Sequence, residues 1–281
     1  MRPEGVFSEY SHHACISAIS DFVNKLPNKE ADYYNAVRKF ALSLYQTQGS
    51  GDEKYFLEKT PRYYLILDVL QKIFPDAKFI FLFRNPVQVM ASVIETWGKG
   101  RLRMENYYVD LFKGPEKMAA GYNALKNNSV AVFYDDLVRN PENNLKRIFE
   151  YLELDYSSSI LTRISQVKLD GRMGDKSGYS QYNEIEPDSI EKWKETFNTR
   201  FRKKILKTYI RGLSPRTLKT FGISQNQVIR DIDAVPTERW LYFQDRIHLL
   251  MGTLIRLLEV PLFYRRTRWR LKKTDPFLIH Q

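Results

Sequence analysis

Two hydrophobic periods run through the chain. Residues 77–83 (AKFIFLF) and 129–134 (SVAVFY) are short, unbroken apolar runs, the first entered through Phe74, Pro75 and Asp76. A run without alternation predicts a strand buried on both faces, as in a parallel sheet. Around these runs the period changes to that of a helix. Residues 31–46 place Tyr34, Val37, Ala41, Leu44 and Tyr45 on one face, and helices are also expected over 62–73, 87–97, 141–152 and 240–258. A short strand is expected at 54–57, after a glycine- and serine-rich stretch, 48–52, that reads as a flexible linker. Strands alternating with helices predict an α/β fold with a parallel sheet. Crossovers of one hand then bring the strand C-terminal ends to a single edge, where such sheets bind ligands. Lys59, Arg84 and Asp135 each stand just past an expected strand end.

Length and composition narrow the class. With 281 residues, 43% of them hydrophobic and 27% charged, the chain reads as an ordinary globular protein of one large or two small domains. One cysteine, Cys15, excludes an intrachain disulfide and suits a reducing compartment. The polar stretch 1–10 lacks the apolar core of a signal peptide, and no apolar run is long enough to span a bilayer. A cytoplasmic location is the resulting expectation.

The net charge of +11 divides the chain unevenly. Residues 1–194 carry 26 cationic and 26 acidic side chains, whereas 195–281 carry 18 against 7. We therefore expect an α/β domain over 1–194 and a basic, mainly helical region over 195–281. The densest cluster is Arg265, Arg266, Arg268, Arg270, Lys272 and Lys273. It suits an anionic partner or membrane surface, or is simply a solvated tail. No zinc-finger spacing or RNA-recognition pattern supports nucleic acid.

Two polar segments carry candidate chemistry. Arg84 leaves an expected buried strand and is followed by Asn85 and Pro86, with Ser92 eight residues on. A guanidinium fork and a hydroxyl together suit a phosphate monoester, although a strand-end arginine also serves to satisfy carbonyls. In Glu58-Lys59-Thr60-Pro61, Thr60 is an expected N-cap and Pro61 the first helical residue. Lys59 then lies beside a helix N-terminus, a position suited to anions and equally to a solvated lysine.

In combination these segments are more specific. EKTPRYY, FPDAKFIFLFRNP with a serine eight residues after its arginine, and VAVFYDDLVRNPENNLKRIFEYLEL, in that order, resemble the sulfotransferase family that uses 3′-phosphoadenosine-5′-phosphosulfate (PAPS). The resemblance is strong over 53–156 and continues weakly through 171–194. It is nearest the branch that includes bacterial, carbohydrate and protein-tyrosine sulfotransferases. It implies a P-loop-like, three-layer α/β domain with a parallel sheet, followed here by a helical C-terminal extension. Carried over by position, Arg84 and Ser92 match the pair that binds the 3′-phosphate, and Lys59 matches a lysine near the reacting sulfate. The Tyr134–Leu137 segment matches a structural signature whose carboxylates are expected to cap the next helix.

The sequence departs from the family at its start. Relatives carry a strand and a loop such as PKSGTT before a segment resembling residues 5–9, whereas here Met1 stands just before that segment. The first strand and the 5′-phosphosulfate loop are therefore expected to be missing, through truncation or natural loss. That would remove several charge-assisted hydrogen bonds of ~1.5–3 kcal/mol each. Residues 251–255 (MGTLI) echo part of the loop but fit an amphipathic helix better.

The family reaction passes a sulfuryl group in line to an acceptor hydroxyl or amine and requires no metal. For the general base the resemblance favours Glu9, with His12 and His13 as alternatives. Lys59 would steady the transferring group, and Lys176 would contact donor phosphate. The expected acceptor is a carbohydrate or other small hydroxyl compound. The contrasting expectation is a non-catalytic derivative that holds an anionic partner through its basic C-terminal third.

Overall fold

A computed structural model describes residues 12–102, 104, 107–163, 187–238 and 242–257. Glu9, Lys176, the 174–178 loop and the 265–273 cluster lie outside the described residues, as do the side chains of His12 and His13. The chain divides into two compact units, 1–76 with 254–281, and 77–253. The core of the second unit draws on residues 87–111 and 193–235.

The first unit contains α1 (His12–Asn24), α2 (Glu30–Gln46) and α3 (Leu67–Ile73). Arg38 pairs with Asp76 at 2.7 Å, and Lys72 with Glu30 at 3.4 Å. Three local expectations are corrected here. Residues 54–57 pair with no strand among the described residues, and Phe56 instead stacks on Tyr45 with ring centroids 4.3 Å apart. The segment is exposed, so water can meet its backbone groups without a partner strand. The expected helix over 62–73 begins as a 3₁₀ turn at Tyr63–Leu65 and becomes α-helical only at Leu67. The glycine–serine linker is an ordered turn. Glu53 accepts hydrogen bonds from the Ser50 and Gly51 amides and the Ser50 hydroxyl, at 2.8–2.9 Å. Gly51 has φ +99°, a conformation that favours glycine, and a Cβ at Gly49 would stand 2.6 Å from the Glu53 carboxylate.

The second unit holds the sheet. Strands β1 (Phe79–Phe83) and β2 (Ser129–Phe133) pair in parallel, Phe79 opposite Ser129 through Phe83 opposite Phe133. Parallel pairing needs a crossover, supplied by α4 (Pro86–Ser92), a π-helical turn (Val93–Trp97) and α5 (Gly114–Ala124). The helix expected over 87–97 therefore changes winding after Ser92. After β2 come α6 (Tyr134–Arg139), α7 (Pro141–Leu152) and α8 (Ser159–Arg163). The unit ends with α9 (Trp193–Thr196), α10 (Arg200–Gly212), α11 (Pro215–Thr220), α12 (Gln225–Ala234) and the start of α13 (Tyr242–Leu257). The fold is a helix-rich α/β arrangement around a parallel sheet.

Burial of the sheet differs from expectation. Phe81 and Phe83 are buried against Tyr122 of α5, at 5.4 Å each, and Phe221 packs on Phe83 at 4.8 Å. Ile80 and Leu82, on the other face, are 39% and 48% exposed. An unbroken apolar run sets the strand, but each face is buried only where a helix packs on it. The main core lies between helices. Met90 and Ile94 meet Leu111, Phe197, Leu206, Ile210 and Ile232, all fully buried. No helix among the described residues is long and apolar enough to cross a membrane.

Candidate functional site

The site grows from the ends of the two paired strands. Because Phe83 and Phe133 are opposite in register, the next residues of each strand, Arg84 and Tyr134, become neighbours. The Arg84 guanidinium lies 4.3 Å from the centre of the Tyr134 ring, within cation–π range. Beyond Arg84 the chain turns sharply into α4. Asn85 caps the helix, its side-chain oxygen accepting from the Val87 amide at 3.0 Å, and Pro86 occupies the first helical position.

Gln88 ties the two strand ends together. It is only 3% exposed, and both ends of its amide are engaged. The side-chain oxygen accepts from Arg84 Nε at 3.2 Å, and the nitrogen donates to both oxygens of Asp135 at 2.9 and 3.0 Å. A buried amide held from both sides fixes the guanidinium plane. Arg84 is half-buried, and among the described residues its two terminal amino groups have no hydrogen-bond partner. Ser92 stands four residues after Gln88, on the same face of α4. Its hydroxyl also has no partner among the described residues. Arg84, Gln88 and Ser92 thus follow at four-residue intervals, and the two Arg84 amino groups and the Ser92 hydroxyl are without partners among the described residues.

Asp135 does not cap the next helix as expected. α6 has no side-chain cap, and the Asp135 carboxylate takes up the Gln88 amide instead. Both Asp135 and Asp136 still lie in the first turn of α6, where negative charge opposes the helix dipole favourably. Tyr134 is also anchored, its hydroxyl 3.2 Å from Ser189 Oγ. Gln88 was not singled out by the sequence, and Tyr134 only as part of the structural 134–137 signature. A polar residue one turn after a strand-end arginine, at the start of an otherwise apolar helix, is the signal for Gln88.

Lys59 belongs to the first unit and is exposed, without a partner among the described residues. It follows no strand. Thr60 does not cap a helix, since its hydroxyl donates to Glu58 at 3.0 Å while its carbonyl accepts from the Tyr63 amide at 3.2 Å. Burial raises the Tyr63 phenol above its ordinary value, helped by Glu58. Residues 251–255 lie within α13 and form no loop. Among the described residues no cluster of histidine, cysteine and carboxylate could hold a metal ion.

With this geometry in place, comparison decides the family. The profile described as "Sulfotransferase family" matches residues 9–158, more than half of the chain. The chain belongs to the sulfotransferase family. It is 24% identical over 185 residues to a candidate protein-tyrosine sulfotransferase of Caenorhabditis briggsae, covering 64% of this chain and 66% of that one. It is 27% identical over 132 residues to an omega-hydroxy-beta-dihydromenaquinone-9 sulfotransferase of Mycobacterium bovis, covering 42% of this chain and 33% of that one. The chain thus spans a third to two thirds of the length of these relatives. Among solved structures it is similar to a sulfotransferase domain from the curacin biosynthetic pathway. That likeness has a TM-score of 0.49, 16% identity and 66% coverage of both chains.

Proposed function

We propose that this sulfotransferase family member takes its sulfuryl group from PAPS and passes it to a hydroxyl acceptor, a carbohydrate or another small molecule. One observation carries the reading. Gln88 and Tyr134 hold the Arg84 side chain at the strand end, its amino groups have no partner among the described residues, and Ser92 stands four residues after Gln88 on α4. That row suits the 3′-phosphate of the donor, because a planar fork of charged donors matches phosphate oxygens.

PAPS supplies an activated sulfuryl group. The acceptor oxygen bonds to sulfur as the bond from sulfur to the 5′-phosphate oxygen breaks, and 3′-phosphoadenosine-5′-phosphate leaves. Positioning and charge stabilisation provide most of the acceleration in such transfers. In this reading Arg84 and Ser92 hold the nucleotide, Lys176 contacts donor phosphate, and Lys59 steadies the charge on the transferring group. Glu9 takes the acceptor proton. A tyrosine and a hydroxylated dihydromenaquinone, the acceptors in the relatives' names, both present a hydroxyl.

Calorimetry of the full chain with 3′-phosphoadenosine-5′-phosphate tests the clamp. Arg84→Ala is expected to weaken binding more than about tenfold, and Ser92→Ala less. Unchanged affinity in Arg84→Ala overturns the assignment. Transfer of radiolabelled sulfur from PAPS to carbohydrate, tyrosine-peptide and apolar alcohol acceptors then tests the activity. Glu9→Gln is expected to slow turnover while leaving nucleotide affinity intact.

A further inference from the structure

Helix α13 turns one face inward and an apolar stripe outward. The inward face is fixed by Asp245, which is buried and accepts from Arg202 Nε at 2.7 Å and Nη2 at 2.9 Å. Gly252 is buried on the same side. On the outward side Ile247, Leu250 and Met251 are 39%, 62% and 54% exposed. Their spacing of three and four residues makes one continuous stripe. Large apolar side chains grouped in this way mark an interaction surface more often than scattered ones do.

Two further observations lie beside the stripe. A cavity of about 360 Å³ opens between α10 and α13, with Phe201, Ile205 and Leu249 in its walls and the fully buried Met90 among its lining. Its polar lining includes Lys204 and Arg246, both exposed, and the Arg246 guanidinium stands 5.6 Å from the centre of the Phe201 ring. The charged residues of that lining, Lys204 and Arg246, are both cationic. A second copy docked on this face would bring like charges together, which costs affinity. An anionic lipid surface complements both the charge and the apolar stripe.

We propose that α13 seats the protein on an anionic phospholipid surface. Ile247, Leu250 and Met251 enter the boundary between headgroups and acyl chains. Lys204 and Arg246 meet lipid phosphates, and the cavity between α10 and α13 receives the end of an acyl chain. This contact is separate from the nucleotide row. Met90, two residues after Gln88, points about 200° away from it around α4, at 3.6 residues per turn.

Flotation of the full chain with vesicles tests the proposal. Binding is expected to vesicles of phosphatidylcholine mixed with phosphatidylserine, and not to phosphatidylcholine alone, and it should weaken as salt rises. Leu250→Glu combined with Met251→Glu should reduce the bound fraction at least about tenfold. Lys204→Glu combined with Arg246→Glu should do the same through charge, so the test does not depend on one variant. All four side chains are exposed, so far-UV circular dichroism should show both double variants folded, and the Leu250→Glu, Met251→Glu protein should keep the wild-type melting temperature. Affinity for 3′-phosphoadenosine-5′-phosphate should also be unchanged. Equal binding to both kinds of vesicle, or binding that neither pair reduces, overturns the proposal. So does a doubled mass by light scattering that Leu250→Glu abolishes, since it assigns the face to a second copy.

Discussion

The guanidinium of Arg84 lies 4.3 Å from the ring centre of Tyr134, and the two residues follow directly on strands paired with no offset. The ring is therefore a shelf for the cation as well as a neighbour. Tyr134→Phe keeps the shelf and loses only the contact with Ser189, so nucleotide affinity by calorimetry should stay near wild type. Tyr134→Ala removes the shelf, and affinity should fall several-fold, matching a cation–π contribution of about 0.5–1 kcal/mol.

Gln88 is a positioning residue. Gln88→Leu leaves the Asp135 carboxylate without its amide donor and frees the Arg84 side chain to rotate. The unmet carboxylate should cost about 1–3 kcal/mol, read as a lower melting temperature, and nucleotide binding should weaken in parallel. Gln88→Glu sets a second carboxylate against Asp135. Like charges raise carboxylate pKa values, so that variant should lose stability as pH rises from roughly 4 to 7. A melting temperature equally insensitive to pH in wild type and Gln88→Glu would contradict the geometry.

Much of the local structure around Arg84 was legible in the sequence. The unbroken run ending at Arg84 and the Asn85-Pro86 pair fix a strand end and a helix start by local chemistry alone. Ser92 follows by helical spacing. Gln88 was not legible, because its role depends on Asp135, 47 residues away. The Arg84–Tyr134 contact depends on strand register, which neither run encodes by itself. Exposure of Ile80 and Leu82 was hidden for a similar reason: an unbroken apolar strand does not say which helices will cover it. The run 54–57 misled because no strand lies beside it among the described residues, and its Phe56 packs on Tyr45 of α2.

The turn at 49–53 should open in acid. Hydrogen bonds from Ser50 and Gly51 lower the Glu53 carboxyl from its ordinary 4.5 to about 2. A depressed carboxylate stabilises the fold above its ordinary value, and that contribution is lost as pH falls through the depressed one. The Ser50 and Gly51 amide resonances should hold their positions down to pH 4.5 and move as pH approaches about 2. In Glu53→Gln the same resonances should show no such titration.

The Arg202–Asp245 pair should matter more than any surface ion pair. Both side chains are largely withdrawn from solvent, and Arg202 also donates to the carbonyls of Thr196 at 3.0 Å and Gly100 at 2.7 Å. Asp245→Ala strands a buried cation and should cost about 3–5 kcal/mol in urea unfolding. Lys146 and Glu142 are half exposed, and Glu142→Ala should cost under about 1 kcal/mol.

Zero-offset strand pairing constrains how this protein can change over time. Removing one residue from either five-residue strand would slide its far end back by about 3.3 Å and invert its side chains. Arg84 and Tyr134 would part even if both were retained. Insertions and deletions should therefore gather in the crossover between the strands, beyond Ser92, and spare the strands themselves. Strand length matters to this contact as much as side-chain identity does.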